Sequence, residues 1–183
     1  MKRVVLLGDS IREIGYGARV TEMLKDEYTV HQAPENCRFA KYTLRCLYDW
    51  KELLSGADCI HWNNGLWDVC DLFGDGPFTS VDEYVENMVR IAKILKSYAP
   101  TVIFATTTPA HPKMWGHDME RTNHYNKAVT KALEKENIII NDLYTPVARD
   151  IDEMICEDNI HLSQKGIEIT ARAVADCIRR QIG

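Results

Sequence analysis

Residues 4–7 of the chain are four consecutive apolar residues, Val-Val-Leu-Leu, and they are followed at once by Gly8, Asp9 and Ser10. A short apolar run of this kind predicts a strand that is buried on both faces. Gly8 permits a tight turn where that strand ends. Because ligands of open α/β sheets bind at the carboxyl ends of the strands, Ser10 is a candidate nucleophile.

Strand and helix patterns alternate along the rest of the chain. We predict a loop over 11–17 and a short helix or turn over 143–154. Further strands are predicted over 28–31, 57–62, 101–106 and 138–141, and helices over 18–26, 42–48, 50–54, 79–98, 119–136 and 163–180. Thr79 and Ser163 are the expected N-caps of the two helices that follow them. This alternation predicts a three-layer α/β/α domain with a five-stranded parallel sheet in the flavodoxin-like order 2-1-3-4-5.

Composition narrows the classes of protein that the chain can represent. Its 183 residues suit a single domain, 1–183, with a sizeable core. The net charge of −5 disfavours nucleic acid as a partner, and no apolar run approaches the roughly 20 residues of a membrane span. With no signal-peptide core either, we expect a cytoplasmic protein, and the sequence leaves its oligomeric state open, a homo-oligomer included. Six cysteines without a C-x-x-C pair are expected to be buried thiols, and no metal site is predicted.

Polar loops follow four of the predicted strands. In a parallel sheet these loops all lie along one edge, and they contain Gly8-Asp9-Ser10, Asn36-Cys37, Asn63-Asn64-Gly65 and Thr107-Thr108-Pro109. Asp158 and His161 stand three residues apart before the last helix, so that the carboxylate can fix the tautomer of the imidazole. Ser10 alone could equally be a cap, and Asn63-Asn64-Gly65 alone could be merely a turn. Only the combination of these motifs predicts a catalytic site.

These motifs, in this order, resemble those of the SGNH/GDSL hydrolases, and in particular a small bacterial GDSL-type esterase/lipase branch. The resemblance rests on Gly8-Asp9-Ser10-Ile11, on Asn63 in its Asn-Asn-Gly-Leu-Trp-Asp context and on Asp158-x-x-His161. The chain departs from the family pattern at Cys37, where glycine is usual, and in having Asn63-x-Gly65 in place of Gly-x-Asn-Asp.

The resemblance also implies roles for individual residues. Ser10 would attack an ester carbonyl, His161 would take and return its proton, and Asp158 would orient His161. The oxyanion donors would be the N–H groups of Ser10 and Cys37 and the side-chain amide of Asn63, with Asn64 as the rival to Asn63. No cofactor is implied.

Aromatic and histidine side chains outside these motifs are weaker candidates. Trp67 and Trp115 could stack on a sugar or simply cover the core. His111 and His117 are expected in the loop that lines the cleft, and His61 is expected to be a structural residue within its strand.

Together these features favour a serine esterase that hydrolyses small acyl esters through an acyl-enzyme. O-acetyl groups on carbohydrate are the leading substrates, because the chain is small, has no long lid and carries tryptophans near the cleft. A lysophospholipase- or thioesterase-type acyl hydrolase is the alternative. From another class, a flavodoxin-like module would hold a phosphate or a flavin at the first loop, which lacks a glycine-rich cradle. A non-catalytic sugar-binding module is disfavoured by the complete set of Ser10, Asp158 and His161.

Overall fold

One sheet of five parallel strands runs through the centre of the computed structural model, which describes residues 1–183. The strand order is β2-β1-β3-β4-β5, as predicted. Val5 of the second strand in this order pairs with His31 on one side and with Ile60 on the other. The strands are β1 (Lys2–Leu7), β2 (Tyr28–Gln32), β3 (Cys59–Trp62), β4 (Thr101–Ala105) and β5 (Ile139–Asn141).

Helices cover both faces of this sheet, which confirms the predicted three-layer architecture. Their bounds are α1 (Gly17–Leu24), α2 (Ala40–Asp49), α3 (Lys51–Leu54), α4 (Val81–Tyr98), α5 (Met119–Lys135), α6 (Tyr144–Ala148), α7 (Ile151–Met154) and α8 (Gln164–Ile182). One core contains buried residues of α2 to α5, and the other contains buried residues of α1, α6, α7 and α8.

Strand β1 supplies side chains to both cores. Val5 and Leu7 belong to the core beside α2 to α5, whereas Val4 and Leu6 belong to the core beside α1 and α8. All four are fully buried, as the apolar run predicted. Burying a Val or Leu side chain is worth roughly 1.5–3 kcal/mol, so this strand fixes the position of the turn that follows it.

Three local features differ from the sequence-based predictions. Residues predicted as a loop form a π-helical segment, Ile11–Tyr16, whose Ile11, Arg12 and Tyr16 are buried. The N-cap of α4 is Ser80 rather than Thr79, since the Ser80 side chain accepts from the Glu83 N–H. Ser163 caps α8 as predicted, and it accepts from the Gly166 N–H at 3.1 Å. Residues 143–154 contain two short helices, α6 and α7.

The cysteines are free thiols. Five of the six are buried, in accord with the prediction, whereas Cys156 is half-buried. No helix combines the length and the apolar character that crossing a membrane would require.

Candidate active site

The turn that carries Ser10 is held closely against the end of β3. A Cβ atom placed on Gly8 would lie 2.0 Å from Asn63 Oδ1, so only glycine fits there. Asp9 Oδ1 accepts from the Ile11 N–H at 3.0 Å, and the Asp9 carbonyl accepts from the N–H groups of Arg12 and Glu13. Asp9 therefore braces the turn.

Ser10, His161 and Asp158 come together although they are distant in sequence. His161 Nε2 lies 3.0 Å from Ser10 Oγ, and His161 Nδ1 lies 2.6 Å from Asp158 Oδ2. The loop that carries Asp158 and His161 is closed at its base by an antiparallel bridge between Ile155 and Leu162. The structure thus places the three predicted residues in one hydrogen-bonded chain.

The Asp158 carboxylate is held by donors from its own loop. Its Oδ1 accepts from the N–H groups of Ile160 and His161 at 3.0 and 2.9 Å, and from Cys156 Sγ at 3.1 Å. Partial burial opposes ionisation, but the N–H donors of His161 and Ile160 outweigh it and hold the pKa of Asp158 well below its usual range. The carboxylate is consequently ionised at neutral pH, and it accepts from His161 Nδ1.

Asn63 and Asn64 have different environments. Asn63 Nδ2 donates to Asp9 Oδ1 at 2.8 Å, and Asn63 Oδ1 accepts from the Tyr16 hydroxyl at 2.8 Å. One N–H of Nδ2 remains, because a primary amide has two. Asn64 is fully buried. Its Nδ2 donates to the Arg38 carbonyl, and its Oδ1 accepts from the Thr43 hydroxyl. Each amide thus keeps one N–H of Nδ2, but only the Asn63 amide contacts the turn that carries Ser10, through Asp9, and this favours Asn63 over Asn64 as an oxyanion donor.

The Cys37 N–H does not fit the role that the family resemblance implies. It donates to the Gly8 carbonyl at 3.0 Å, while Cys37 Sγ accepts from the Gly8 N–H at 3.1 Å. Burial raises the pKa of Cys37 to about 12, so the group is a neutral thiol. Cys37 ties the loop after β2 to the end of β1, and its N–H is not free to face a substrate.

Arg12 is a buried residue of the site region that sequence reasoning missed. It donates to the carbonyl oxygens of Gly8, Ala33 and Glu35 at 3.1, 3.2 and 2.7 Å. The guanidinium therefore holds the turn that carries Ser10 against the loop that follows β2. No local pattern could reveal this role, because two of the three carbonyls lie more than twenty residues away.

A cavity of about 490 Å³ opens beside Ser10 and His161. Trp67 lines it, whereas Trp115 lies outside it and donates from Nε1 to the Leu72 carbonyl. Sequence reasoning missed most of the lining, since these residues come from separate loops. The cavity is lined by Ser10, Phe39, Leu66, Trp67, Cys70, Leu72, Phe78, Met114, His117, Ile160 and His161.

The remaining histidines separate into cleft and structural residues. His117 lines the cleft, and burial lowers its pKa to about 4. His111 does not line the cavity, and its Nε2 lies 2.9 Å from Asp152 Oδ1. His61 is fully buried beside Asn141, and burial lowers its pKa to about 3, as befits a structural residue. No group of three or more His, Cys, Asp or Glu side chains is arranged to hold a metal ion.

Comparison with known proteins gives matches only at the level of structure. No protein-family model and no curated protein sequence matches the chain. A lipase/acylhydrolase from Enterococcus faecalis superposes with a TM-score of 0.80 at 22% identity, covering 99% of this chain and 97% of that one. The acetyl xylan esterase AlAXEase superposes with a TM-score of 0.80 at 20% identity, covering 96% of this chain and 99% of that one. A GDSL-like lipase from Bacteroides thetaiotaomicron gives 0.78 at 18% identity, covering 99% and 89%. The chain therefore has the α/β fold of the SGNH/GDSL hydrolases that its sequence motifs resemble.

Proposed function

We propose that this protein is a serine ester hydrolase of the SGNH type. The observation that carries the proposal is the continuous hydrogen-bonded chain from Asp158 Oδ2 through His161 to Ser10 Oγ, at 2.6 and 3.0 Å. A hydroxyl that contacts an imidazole, which is itself oriented by a carboxylate, is the arrangement that activates serine as a nucleophile.

In the first half of the proposed reaction, Ser10 Oγ attacks the carbonyl carbon of the ester and its proton passes to His161 Nε2. The ionised Asp158 stabilises the imidazolium that forms. The tetrahedral intermediate then collapses, the bond to the alcohol oxygen breaks, and His161 Nε2 gives its proton to the departing alcohol. An acyl group remains on Ser10.

In the second half, water attacks the acyl-enzyme and gives a proton to His161 Nε2. Collapse of the second intermediate releases the carboxylic acid, and the proton returns to Ser10 Oγ. We assign the Ser10 N–H and the Nδ2 group of Asn63 as donors to the oxyanion in both halves. Asp9 and Tyr16 support this assignment because they hold the two ends of the Asn63 amide.

Two classes of acyl ester are candidates for the substrate. The likeness to two acetylxylan esterases, AlAXEase and Axe2 of Geobacillus stearothermophilus, supports O-acetyl groups on carbohydrate. The apolar lining of the cavity favours an acyl hydrolase that acts on a longer chain, as in the lysophospholipase and thioesterase alternative.

The test is hydrolysis of p-nitrophenyl acetate by the native protein and by Ser10→Ala. We expect the substitution to lower kcat by a factor of about 10³ or more. Ser97→Ala, which removes an exposed serine hydroxyl on α4, is the matched control and should keep full activity. Activity that survives Ser10→Ala would contradict the mechanism. A protein without activity that binds a flavin or a nucleotide would instead support the binding-module alternative.

A further inference from the structure

Tyr16 is a fully buried residue whose hydroxyl contacts the side chain of Asn63. It ends the π-helical segment Ile11–Tyr16, and its hydroxyl donates to Asn63 Oδ1 at 2.8 Å. This is the one hydrogen bond that the hydroxyl makes in the structure. Burial holds the pKa of Tyr16 well above its usual range, so the group remains a protonated donor.

The ring of Tyr16 is held in place by its neighbours. It belongs to the core beside α1 and α8, and it contacts the His61 ring edge to face, with ring centroids 5.8 Å apart. His61 is fully buried as well, and the low pKa that burial gives it keeps this ring neutral. The hydroxyl of Tyr16 is therefore presented to Asn63 from a fixed position.

The two ends of the Asn63 amide contact groups of opposite hydrogen-bonding character. Nδ2 donates to Asp9 Oδ1 at 2.8 Å, and this carboxyl oxygen is an acceptor because it also accepts from the Ile11 N–H at 3.0 Å. Rotating the amide by half a turn would set its oxygen against Asp9 Oδ1 and would leave the Tyr16 hydroxyl without an acceptor. Both changes are unfavourable in a buried site, so one orientation of the amide is strongly preferred.

The end of β1 encloses the oxygen end of the same amide. A Cβ atom on Gly8 would lie 2.0 Å from Asn63 Oδ1, which is the atom that accepts from Tyr16. Asn63 as a whole is only 3% exposed. The second N–H of Nδ2, which is not bound to Asp9, is therefore the part of the amide that is left for a substrate.

We propose that Tyr16 is a positioning residue for the oxyanion, because its hydroxyl fixes the Asn63 amide in the orientation that keeps the second N–H of Nδ2 available. This inference rests on the proposed function, since it concerns the same site. Tyr16 does not line the cavity beside Ser10, so it acts through Asn63. A donor that is already oriented stabilises the developing charge without reorganising during the reaction.

The experiment is a double-mutant cycle of Tyr16→Phe and Asn63→Ala, with kcat and KM measured on p-nitrophenyl acetate. Tyr16→Phe removes one oxygen atom and keeps the ring that contacts His61. We expect it to lower kcat about three- to tenfold with KM unchanged, because the amide binds an oxygen that becomes charged only in the transition state. In the Asn63→Ala background the same substitution should lower kcat by less than about twofold, since the amide that Tyr16 orients is already absent.

Tyr84→Phe is the matched control for Tyr16→Phe. Tyr84 is also fully buried, and its hydroxyl donates to the backbone carbonyl of Asn64 at 2.8 Å. Each substitution deletes a buried hydroxyl that donates to a carbonyl oxygen, so the two variants should lose similar amounts of thermal stability. Tyr84→Phe should nevertheless keep the native kcat, which separates the positioning of Asn63 from a loss of stability.

Three outcomes would overturn the role of Tyr16. They are a native kcat in Tyr16→Phe, equal losses of kcat in Tyr16→Phe and Tyr84→Phe, and a loss in Tyr16→Phe that is undiminished in the Asn63→Ala background. Each of them leaves Ser10-dependent hydrolysis intact, and with it the proposed function. Absence of Ser10-dependent activity in the native protein would overturn the proposed function itself, and the role of Tyr16 with it.

Discussion

At the scale of single residues, Asn63 and Asn64 are neighbours in different environments. The Asn63 amide contacts Asp9 of the turn that carries Ser10, whereas the Asn64 amide contacts Arg38 and Thr43. We expect Asn63→Ala to lower kcat by a factor of about 10²–10³. Both Asn63→Ala and Asn64→Ala should lower the melting temperature, because each leaves buried partners unpaired, but Asn64→Ala should keep most of the native kcat.

Steady-state kinetics and thermal unfolding of the two variants check this assignment. The double comparison matters because loss of activity in both variants would not distinguish the two residues. If Asn64→Ala lost kcat while remaining as stable as the native protein, the assignment of the oxyanion donor to Asn63 would be wrong.

Cys156 is a second residue with a testable effect on the site. Its Sγ lies 3.1 Å from Asp158 Oδ1, and its backbone N–H donates to the His161 carbonyl at 2.8 Å. Burial raises the pKa of Cys156, so the group is a thiol that donates to the carboxylate. We expect Cys156→Ala to lower kcat about three- to tenfold with little change in KM, because the carboxylate loses one of its fixed donors.

The kinetic constants of Cys156→Ser provide the control for Cys156→Ala. A serine hydroxyl restores the donor, so Cys156→Ser should recover most of the lost kcat. Cys177→Ala removes a buried thiol from α8 and should not change kcat. Equal losses in Cys156→Ala and Cys156→Ser would show that packing, and not the hydrogen bond, is what matters.

At the scale of elements, the strands were predictable and the segment that follows Ser10 was not. Apolar runs such as residues 4–7 form strands because they are buried on both faces, and that pattern is visible locally. The segment Ile11–Tyr16 contains Gly15 and precedes Gly17, which favoured a loop. The segment is π-helical instead. Its Arg12 contacts a distant loop and its Tyr16 contacts Asn63, and such long-range contacts leave no local pattern in the sequence.

Helix α2 shows how an element can be capped from a distant loop. Its N-cap residue, Phe39, has no capping side chain, and Asp68 Oδ2 accepts from the Ala40 N–H at 3.0 Å instead. Burial raises the pKa of Asp68 from 3.8 to about 7, although the hydrogen bond from Ala40 opposes it. Asp68 is therefore protonated in the folded state over a range of pH in which it is ionised in the unfolded state.

This difference predicts a pH dependence of stability. Because the folded state binds the extra proton, the stability that Asp68 contributes through this proton is fully present below pH 3.8. It is lost as the pH rises to about 7. The Asn side chain of Asp68→Asn cannot ionise. The difference between the free energy of unfolding of this variant and that of the native protein should therefore increase from pH 4.5 to pH 8. The increase is at most about 4 kcal/mol.

Urea unfolding of the two proteins at both pH values measures the effect. Asp49→Asn is a control, because Asp49 is an exposed residue at the end of the same helix. A difference between Asp68→Asn and the native protein that stays constant from pH 4.5 to pH 8 would contradict the raised pKa.

At the scale of the whole molecule, the sheet order explains why distant residues meet. The strands β1 and β3 are neighbours, so Ser10 and Asn63 lie side by side at the ends of adjacent strands. This juxtaposition could be predicted from the alternation of strand and helix alone. The lining of the cavity could not, because Phe39 and Phe78 come from loops whose paths depend on the packing of the complete molecule.

The thiols test whether both faces of the sheet form one cooperative unit, as the predicted single domain 1–183 requires. Cys46 lies in the core beside α2 to α5, and Cys59 lies in the core beside α1 and α8. Strand β1 belongs to both cores, so we expect the two thiols to become accessible together.

In the native protein the half-buried Cys156 should react first with iodoacetamide, at a modest rate because burial raises its pKa. Labelling at increasing urea concentrations, followed by peptide mass spectrometry, gives the midpoint of exposure for each cysteine. Exposure of Cys46 at a clearly lower urea concentration than Cys59 would mean that the two faces unfold separately.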